Sequence, residues 1–443
     1  MMAIPVEHSG RFVYHFSHID NLPGLIKNGF LATNHPAFPL RHRSIAASSI
    51  QRRRSQMQVT CGPGGCVHDY VPLYFGSCSP MLLNVLHTKN IDQWDILYFE
   101  FPIDLVLRAD TVFTSASANT AIPPRFYSNP VDLDKLDWPA IDSLKWGNID
   151  DDYRHRRMAE VLVHHHLPIT AASRCVVWNA DTKKQVEKIV NGSNFPVIDF
   201  ESRHRRHYYT NLELKDNSSL VKGPDEIAGI YDQACQYVGE HIATKAISNS
   251  ARFNDLDALL IGLRANFGCT SHTAELVGLK SANGIHKHTV DIHTKDVVQR
   301  LLTIPEYAIL DMAAKNLTET AAYLHDIGKG PRARWVSNGG LQKVDPNHPV
   351  GAMPMMAELL TEQVKRVEFS MAKTLLKLVC YHDLVGDVLG RERDEQQIID
   401  IVDDENELKM LFAIGKADAT SLVEQWWDQN KADQLYSRCL AAI

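Results

Sequence analysis

The chain has no basic N-terminal stretch followed by an apolar run; it opens on "MMAIPVEHSGRFVYHF", which does not fit a secretory leader. No window approaches the ~18 consecutive apolar residues that a membrane-spanning helix needs. Export and membrane anchoring are therefore not expected. Cysteine is sparse and dispersed, with eight residues at positions 61, 66, 78, 175, 235, 269, 380 and 439. That distribution excludes a small disulfide scaffold and fits a reducing compartment, so a cytoplasmic location is the expectation. Internal repeats of fixed period and low-complexity tracts are also missing, which argues against solenoid and fibrous architectures.

What is there is ordinary globular composition, 44% apolar and 22% charged. A chain of 443 residues is long for one hydrophobic core, so two or three domains are expected. Net charge is −7, unevenly spread: residues 1–209 hold 22 Lys and Arg against 20 Asp and Glu, leaving 24 against 33 for residues 210–443. The less acidic half is the better candidate for a polyanionic partner. Within it, Arg41, Arg43, Arg52, Arg53 and Arg54 fall in fourteen residues without a single acid. Such a cluster is either a solvated loop or a phosphate-facing surface.

The first half alternates short β-type runs with turn residues: "RFVYHFSH" (11–18), "YVPLYFG" (70–76), "DILYFEFP" (95–102), "EVLVHHH" (160–166) and "RCVVWN" (174–179). Helical patterns fall at 19–30 and near 181–190. The mix predicts an α+β domain. From Pro224 onward, long apolar-periodic runs at 224–247, 290–303, 306–325, 351–381 and 394–428 predict an all-α second half. The polar segment "LELKDNSSLVKGPDE" (212–226) is the natural boundary. The expected organisation is a domain over 11–209, a linker and leading helix over 210–249, and a second domain over 250–443.

In the second half, "AAYLHDIGKG" (321–330) sets His325 and Asp326 side by side at the end of a helical run. Imidazole nitrogen and carboxylate oxygen together suit a divalent metal, and an aspartate can bridge two ions. The pair has company in "HKHTVDIHTKDVV" (286–298), "NHPVG" (347–351), "YHDLVG" (381–386) and "GKADA" (415–419). That order resembles the HD superfamily of metal-dependent phosphohydrolases, and looks most like the HD domains of nitrogen-regulatory uridylyltransferases. The resemblance covers about 250–443. It implies metal ligands His293, His325, Asp326 and Asp418 for a divalent ion (Mn, Mg, Fe, Co, Ni or Zn), with His348 and His382 lining the site or holding a second ion, and Lys329 contacting phosphate. His286 and His288 read as surface residues.

In the first half, "CGPGGCVHDYVPLYF" (61–75) invites a zinc reading of Cys61, Cys66 and His68. The spacing offers no fourth ligand nearby, and the glycines more simply shape a loop before a strand. Several elements resemble, in order, the DarT family of DNA ADP-ribosyltransferases: "YHFSHIDNLPGLIKNGFL" (14–31), "SIAASSIQRRRSQMQV" (44–59), "GPGGCVHDYVPLYF" with "SPML" (62–82), "LDKLDW" (133–138) and "RRMAEVLV" (156–163). The resemblance spans about 11–209 and implies transfer of ADP-ribose from NAD to thymidine in single-stranded DNA, by a toxin or anti-phage effector with an antitoxin partner. It places the catalytic glutamate on Glu160, the catalytic arginine on Arg54, and NAD contacts on His15, Phe16, Ser17 and Gly24. Cleavage of the nicotinamide–ribose bond passes through an oxocarbenium-like state, which a carboxylate near the ribose can stabilise. Arginine stays protonated, with a pKa above about 12. Arg54 therefore either serves the family role of activating thymine N3 or clamps a phosphate by paired hydrogen bonds. Tyr70, Tyr74 and Phe75 could stack a base or pack a core. His164, His165 and His166 are expected to alternate along a strand and so not to share an ion. Arg154, Arg156 and Arg157 are expected on a solvated or DNA-facing edge.

The leading reading is a multidomain enzyme: an N-terminal α+β ADP-ribosyltransferase-like domain fused to a C-terminal all-α HD domain that processes the product or restrains the toxin. The alternative makes the HD domain the effective enzyme, a nucleotide or nucleic-acid phosphohydrolase, with the first half a nucleic-acid or NAD-binding module.

Overall fold

The β-type runs of the first half become the strands of one mixed sheet in the computed structural model, which describes residues 3–443 apart from 46–47, 121, 145–149, 201–206, 212–217, 245–250, 283 and 285–287. The chain divides into two units, Met1–Val221 and Lys222–Ile443, each with its own core. His286 lies outside the described residues, as do parts of the expected 210–249 linker.

In the first unit the strands are β1 (Phe12–His18), β2 (Phe30–Leu31), β3 (Tyr70–Tyr74), β4 (Ile96–Pro102), β5 (Thr111–Thr114), β6 (Phe126–Tyr127), β7 (Glu160–His164), β8 (His166–Leu167), β9 (Arg174–Val177) and β10 (Val197–Phe200). Eight form a sheet in the order β10-β9-β4-β1-β3-β7-β5-β6, and β2 pairs with β8 apart from it. β9 and β10 run parallel; the other pairs are antiparallel. Because side chains alternate across a strand, Val13, Phe99, Val161 and Cys175 join one core layer. Their neighbours Tyr14, Tyr98 and Val176 join another on the opposite face. All five strands expected from the sequence are present. β5, β6 and β10 are additions: two to four residues each, too short to show a period. The expected helices appear as Leu22–Asn28 and Ala180–Val190, and a further helix, Ser48–Gln56, carries the arginine triplet.

The second unit is helical. Met312–Leu324 is its centre, with Ala321, Ala322 and Leu324 fully buried, and it packs against Leu256–Ala265, Val290–Leu301, Phe369–Cys380 and Glu405–Leu422. Pro224–Ala243, assigned from the sequence to the linker, contributes Ile227, Tyr231 and Val238 to this same core. The long periodic runs are broken where caps intervene. Asp311 accepts from Ala314 N–H and restarts the 306–325 run. Asp404 accepts from Glu407 N–H and splits the 394–428 run. No helix among the described residues is long and apolar enough to cross a membrane.

Candidate functional site

β7 lies between β3 and β5, and its first residue, Glu160, sits opposite Tyr74 of β3. Glu160 is 0% exposed. A bare carboxylate there would be prohibitively costly; two neighbours compensate it and a third fixes its backbone. Arg54, near the end of helix Ser48–Gln56, donates from Nη1 to Oε1 at 3.0 Å. The Ala118 N–H donates to the same oxygen at 2.7 Å. The Glu160 N–H is anchored on Thr114 Oγ1 at 3.0 Å. Oε2 lies 2.9 Å from Arg54 Nη1 but accepts no directed hydrogen bond among the described residues. Both Glu160 oxygens thus face Arg54, Oε1 with directed donors and Oε2 without one.

Burial alone would favour a neutral Arg54, yet Glu160, with Tyr74 beside it, holds the guanidinium more firmly protonated than usual. The Tyr74 phenol is pushed up from its ordinary value, first by burial and then by the Glu160 charge. Tyr74 stacks on Phe16, with ring centroids 5.9 Å apart and planes at 15°. Phe16 opens onto the adjoining pocket.

That pocket, about 210 Å³, is lined by His15, Phe16, Ser17 and Gly24, all four of the expected NAD contacts, together with Arg41, Arg43 and Gln51. Asn21 staples its rim: Nδ2 donates to Ser17 Oγ at 3.1 Å and to the Arg43 carbonyl at 3.0 Å, while the Arg43 N–H returns to Oδ1 at 2.9 Å. His15 Nδ1 is 2.8 Å from the Pro72 carbonyl. A carbonyl only accepts, so Nδ1 carries the proton and Nε2 keeps its lone pair. Desolvation, opposed by that hydrogen bond, lowers His15 to about 4, so the ring is neutral at pH 7. Glu160 and Arg54 are not among the pocket's lining residues; Gln51, one turn before Arg54, links the two regions.

Other expectations need correction. Arg157 is buried at 3% exposure, with Nη2 donating to the Cys78 carbonyl, rather than on a solvated edge; Arg154 and Arg156 pair with Asp151 and Asp137. The three histidines do not alternate along one strand. His165 takes a left-handed backbone, φ 60°, which ends β7 at His164 and leaves His166 in β8 with Nε2 on the Asn28 carbonyl. Tyr70 and Phe75 pack into the core, leaving Tyr74 of the three beside the site. Cys66 and His68 contact Asn34 and Gln51. The sequence reading missed Thr114 and Ala118, since a backbone N–H has no residue signature.

In the second unit the HD-type residues converge. His325 follows the last residue of helix Met312–Leu324 and His382 follows helix Phe369–Cys380 by two, where terminal carbonyls lack intrahelical partners. Each ring fills that need: His325 Nδ1 lies 2.7 Å from Ala322 O and His382 Nδ1 2.8 Å from Val379 O. His348 Nδ1 lies 2.9 Å from Asp345 O. With Nδ1 on a carbonyl, each ring turns its Nε2 inward, the orientation seen for metal-ligating histidine, and the Nε2 atoms of His348 and His382 lie 3.2 Å apart. His293 Nε2 is 3.2 Å from Asp418 Oδ1 and 3.6 Å from Asp326 Oδ2. His325 Nε2 is 3.4 Å from Asp326 Oδ2, and His348 Nε2 is 3.2 Å from Asp326 Oδ1. His293, His325 and Asp418 offer ligand atoms all within 4.8 Å of one another, as do His325, Asp326 and His382.

Burial disfavours charge on Asp326 and Asp418, but Lys329, His325 and His348 hold Asp326 well below the usual carboxylate range, and His293, His325 and His382 do the same for Asp418. Burial likewise opposes charge on His382, yet Asp383 at 2.7 Å, with Asp418 and Asp326, raises it to about 9. Lys329 Nζ sits 2.6 Å from Asp326 Oδ2. Gly328 permits the close packing beneath it, since a Cβ there would lie 2.0 Å from the His348 carbonyl oxygen.

Comparison with known proteins follows the same division. Residues 14–210 match the family described as "DarT: ssDNA thymidine ADP-ribosyltransferase, DarT". A "DNA ADP-ribosyl transferase" of Thermus sp. (strain 2.9) is 33% identical over 182 residues, covering 40% of this chain and 86% of the relative. The protein of the same description from Thermus aquaticus is 32% identical over 219 residues, covering 48% and 94%. Among solved structures, "Thermus sp. 2.9 DarT in complex with ADP-ribosylated ssDNA" aligns at 31% identity and a TM-score of 0.41, over 45% of this chain and 98% of that one.

Proposed function

Because this chain belongs to the DarT family through residues 14–210, we propose that it transfers ADP-ribose from NAD to thymidine in single-stranded DNA, with Glu160 and Arg54 at the reacting centre. The observation that carries this reading is the buried Glu160 carboxylate, paired with Arg54 and held at Oε1 by the Ala118 N–H, with Oε2 lacking a directed donor. NAD occupies the pocket of His15, Phe16, Ser17 and Gly24, and Oε2, which lacks a directed donor, accepts from a ribose hydroxyl. The bond from C1′ to nicotinamide breaks, nicotinamide leaves as the neutral base, and C1′ bonds to the base nitrogen, whose proton is released to solvent. A carboxylate fixed in a water-poor site stabilises the positive charge that develops on the ribose without having to reorient.

The two roles left open for Arg54 are weighed by its partner. A guanidine acting as base at pH 7 must first lose its proton, at a cost of about 7 kcal/mol for an ordinary pKa above 12, and Glu160 increases that cost. The protonated clamp is the better fit. Incubation with NAD and single-stranded oligonucleotides should add the mass of one ADP-ribose to those containing thymidine, and Glu160→Ala should abolish it. Unmodified oligonucleotides at saturating NAD would exclude the reading.

A second reading concerns the helical unit, favoured by the convergence of imidazole nitrogens and buried carboxylates within 4.8 Å of one another. It is a metal-dependent phosphohydrolase of the HD type, in which His293, His325, Asp326 and Asp418 hold a divalent ion. His348 and His382 line the site or take a second ion. Such an ion supplies a water whose pKa falls from about 15.7 toward about 7. Lys329 offsets the charge of Asp326 and, on losing that contact, can meet phosphate. The two halves then read as one device, a toxin whose product is processed or whose action is restrained in cis. If residues 1–210 alone are no more toxic than the full chain, cis restraint is excluded. Phosphohydrolysis that survives Glu160→Ala and is lost in Asp326→Ala, without DNA modification by the wild type, would instead make the helical unit the effective enzyme.

A further inference from the structure

The helices that supply His293 and Asp418 continue past those residues to an open surface pocket lined by Asp296, Gln299, Arg300, Thr303 and Ser421. Ser421 joins it to the cluster: its hydroxyl is 3.3 Å from His293 Nδ1 and donates to the Asp418 carbonyl at 2.7 Å. Asp296 and Arg300 follow His293 by three and seven residues, so all three lie on one helix face. Arg300 Cα is about 10 Å beyond His293 along the axis, at ~1.5 Å per residue. Helical side chains lean toward the N-terminus, which brings the guanidinium back toward the cluster.

Arg300 is exposed and has no ion-pair partner among the described residues. The cations near it are committed elsewhere: Lys416 of the facing helix to Glu306 at 2.7 Å, and Lys329 to Asp326 at 2.6 Å. A single phosphate held at the histidine–aspartate cluster falls short of Arg300, whereas a second phosphate, one P–O–P link further out, closes the gap. Gln299 and Thr303 add neutral donors, and the Asp296 carboxylate suits a sugar hydroxyl rather than an anion.

We propose that this pocket is the anchoring subsite for a pyrophosphate-linked substrate of the helical unit, a diphosphate bearing a sugar, with Arg300 on the phosphate distal to the cluster. The inference rests on the metal-dependent reading of that cluster. Pyrophosphate and orthophosphate are the probes, added to the full chain loaded with manganese and followed by manganese-induced ³¹P relaxation, which reports only ligand close to the ion. Pyrophosphate should bind at least tenfold more tightly than orthophosphate. Arg300→Ala should erase that preference, Arg300→Lys should restore part of it, and manganese affinity should be unchanged in both. If Arg300→Ala holds manganese and binds pyrophosphate as the wild type does, Arg300 is a solvated helix-end cation and the inference is overturned while the metal site stands. If the wild type retains no manganese, and Asp326→Ala behaves identically, the metal-dependent reading itself fails and takes the subsite with it.

Discussion

Glu160→Gln removes a charge from the first unit's site while keeping the volume of the side chain. In the buried pair Nη1 of Arg54 lies 2.9 Å from Oε2, and at an effective dielectric of ~20 that separation corresponds to about 6 kcal/mol of Coulomb attraction. Desolvation of both ions offsets much of it. The variant nevertheless leaves Arg54 buried without a counter-charge, so the expected loss of stability is about 3–5 kcal/mol. Adding Arg54→Met removes the stranded cation, and the double variant should be more stable than Glu160→Gln alone, with a coupling of about 2–3 kcal/mol in a double-mutant cycle. Activity should not follow stability. Loss of the carboxylate is expected to lower ADP-ribose transfer by about 10³-fold, and the double variant should remain inactive. Denaturant unfolding gives the cycle, and mass-resolved transfer onto a thymidine-containing oligonucleotide, below the unfolding transition of every variant, gives the rate. Transfer by Glu160→Gln within tenfold of wild type, or a coupling near zero, would refute the argument that this pair is both the electrostatic anchor and the reacting centre.

Arg54→Lys separates the two roles of the arginine. A clamp that needs the planar fork should lose at least 30-fold in transfer at every pH, whereas a base role predicts retained activity that rises with pH as the lysine deprotonates. His15, lowered to about 4 with Nε2 a free acceptor, predicts NAD affinity that is flat from pH 8 to pH 5; a step near 6.5 that vanishes in His15→Asn would contradict it. Glu100 is buried, which disfavours its charge, but His207 and Arg174 depress it from 4.5 to about 2. Its folded pKa is below its unfolded one, so its contribution of about 3 kcal/mol is present above pH 4.5 and lost as pH falls toward 2. Glu100→Gln should flatten that part of the pH–stability curve, as hydrogen exchange of β4 would show. Chelation of metal should leave transfer onto DNA unchanged while abolishing any phosphohydrolysis, and loss of both activities on chelation would contradict the separate sites.

The two candidate sites were legible to different degrees, for physical reasons. Strand alternation and helical period marked the main elements because burial on one face imposes a period on the sequence. Elements of two to four residues, such as β5 and β6, carry too few positions to show one. β5 matters most: Thr114 ends it and Ala118 follows, and both hold Glu160. Neither could be read as functional, because one contributes a hydroxyl common to any strand and the other only its backbone N–H. Glu160 and Arg54 are 106 residues apart, and no local pattern pairs them; family resemblance singled out both, and packing explains why an isolated acid and one of three adjacent arginines belong together. Arg52 and Arg53 are exposed while Arg54 is buried, because consecutive residues of a helix point about 100° apart.

The histidines teach the converse lesson. Adjacency made "HHH" conspicuous, yet β7 ends at His164, His165 turns through a left-handed backbone, and the three rings are sent to different neighbours. The histidines of the helical unit are scattered over some ninety residues, from 293 to 382, and still converge. There a helix end leaves carbonyls without partners, a histidine just past that end satisfies one through Nδ1–H, and the ring's other nitrogen is fixed in direction as a consequence. His325 and His382 repeat this with the carbonyl three residues back; His348 also meets the carbonyl three residues back, but ahead of its own short helix rather than past the end of one. The feature to read in a sequence is therefore the position of a histidine relative to a helix terminus, which fixes its tautomer and its aim, rather than the number of histidines in a row.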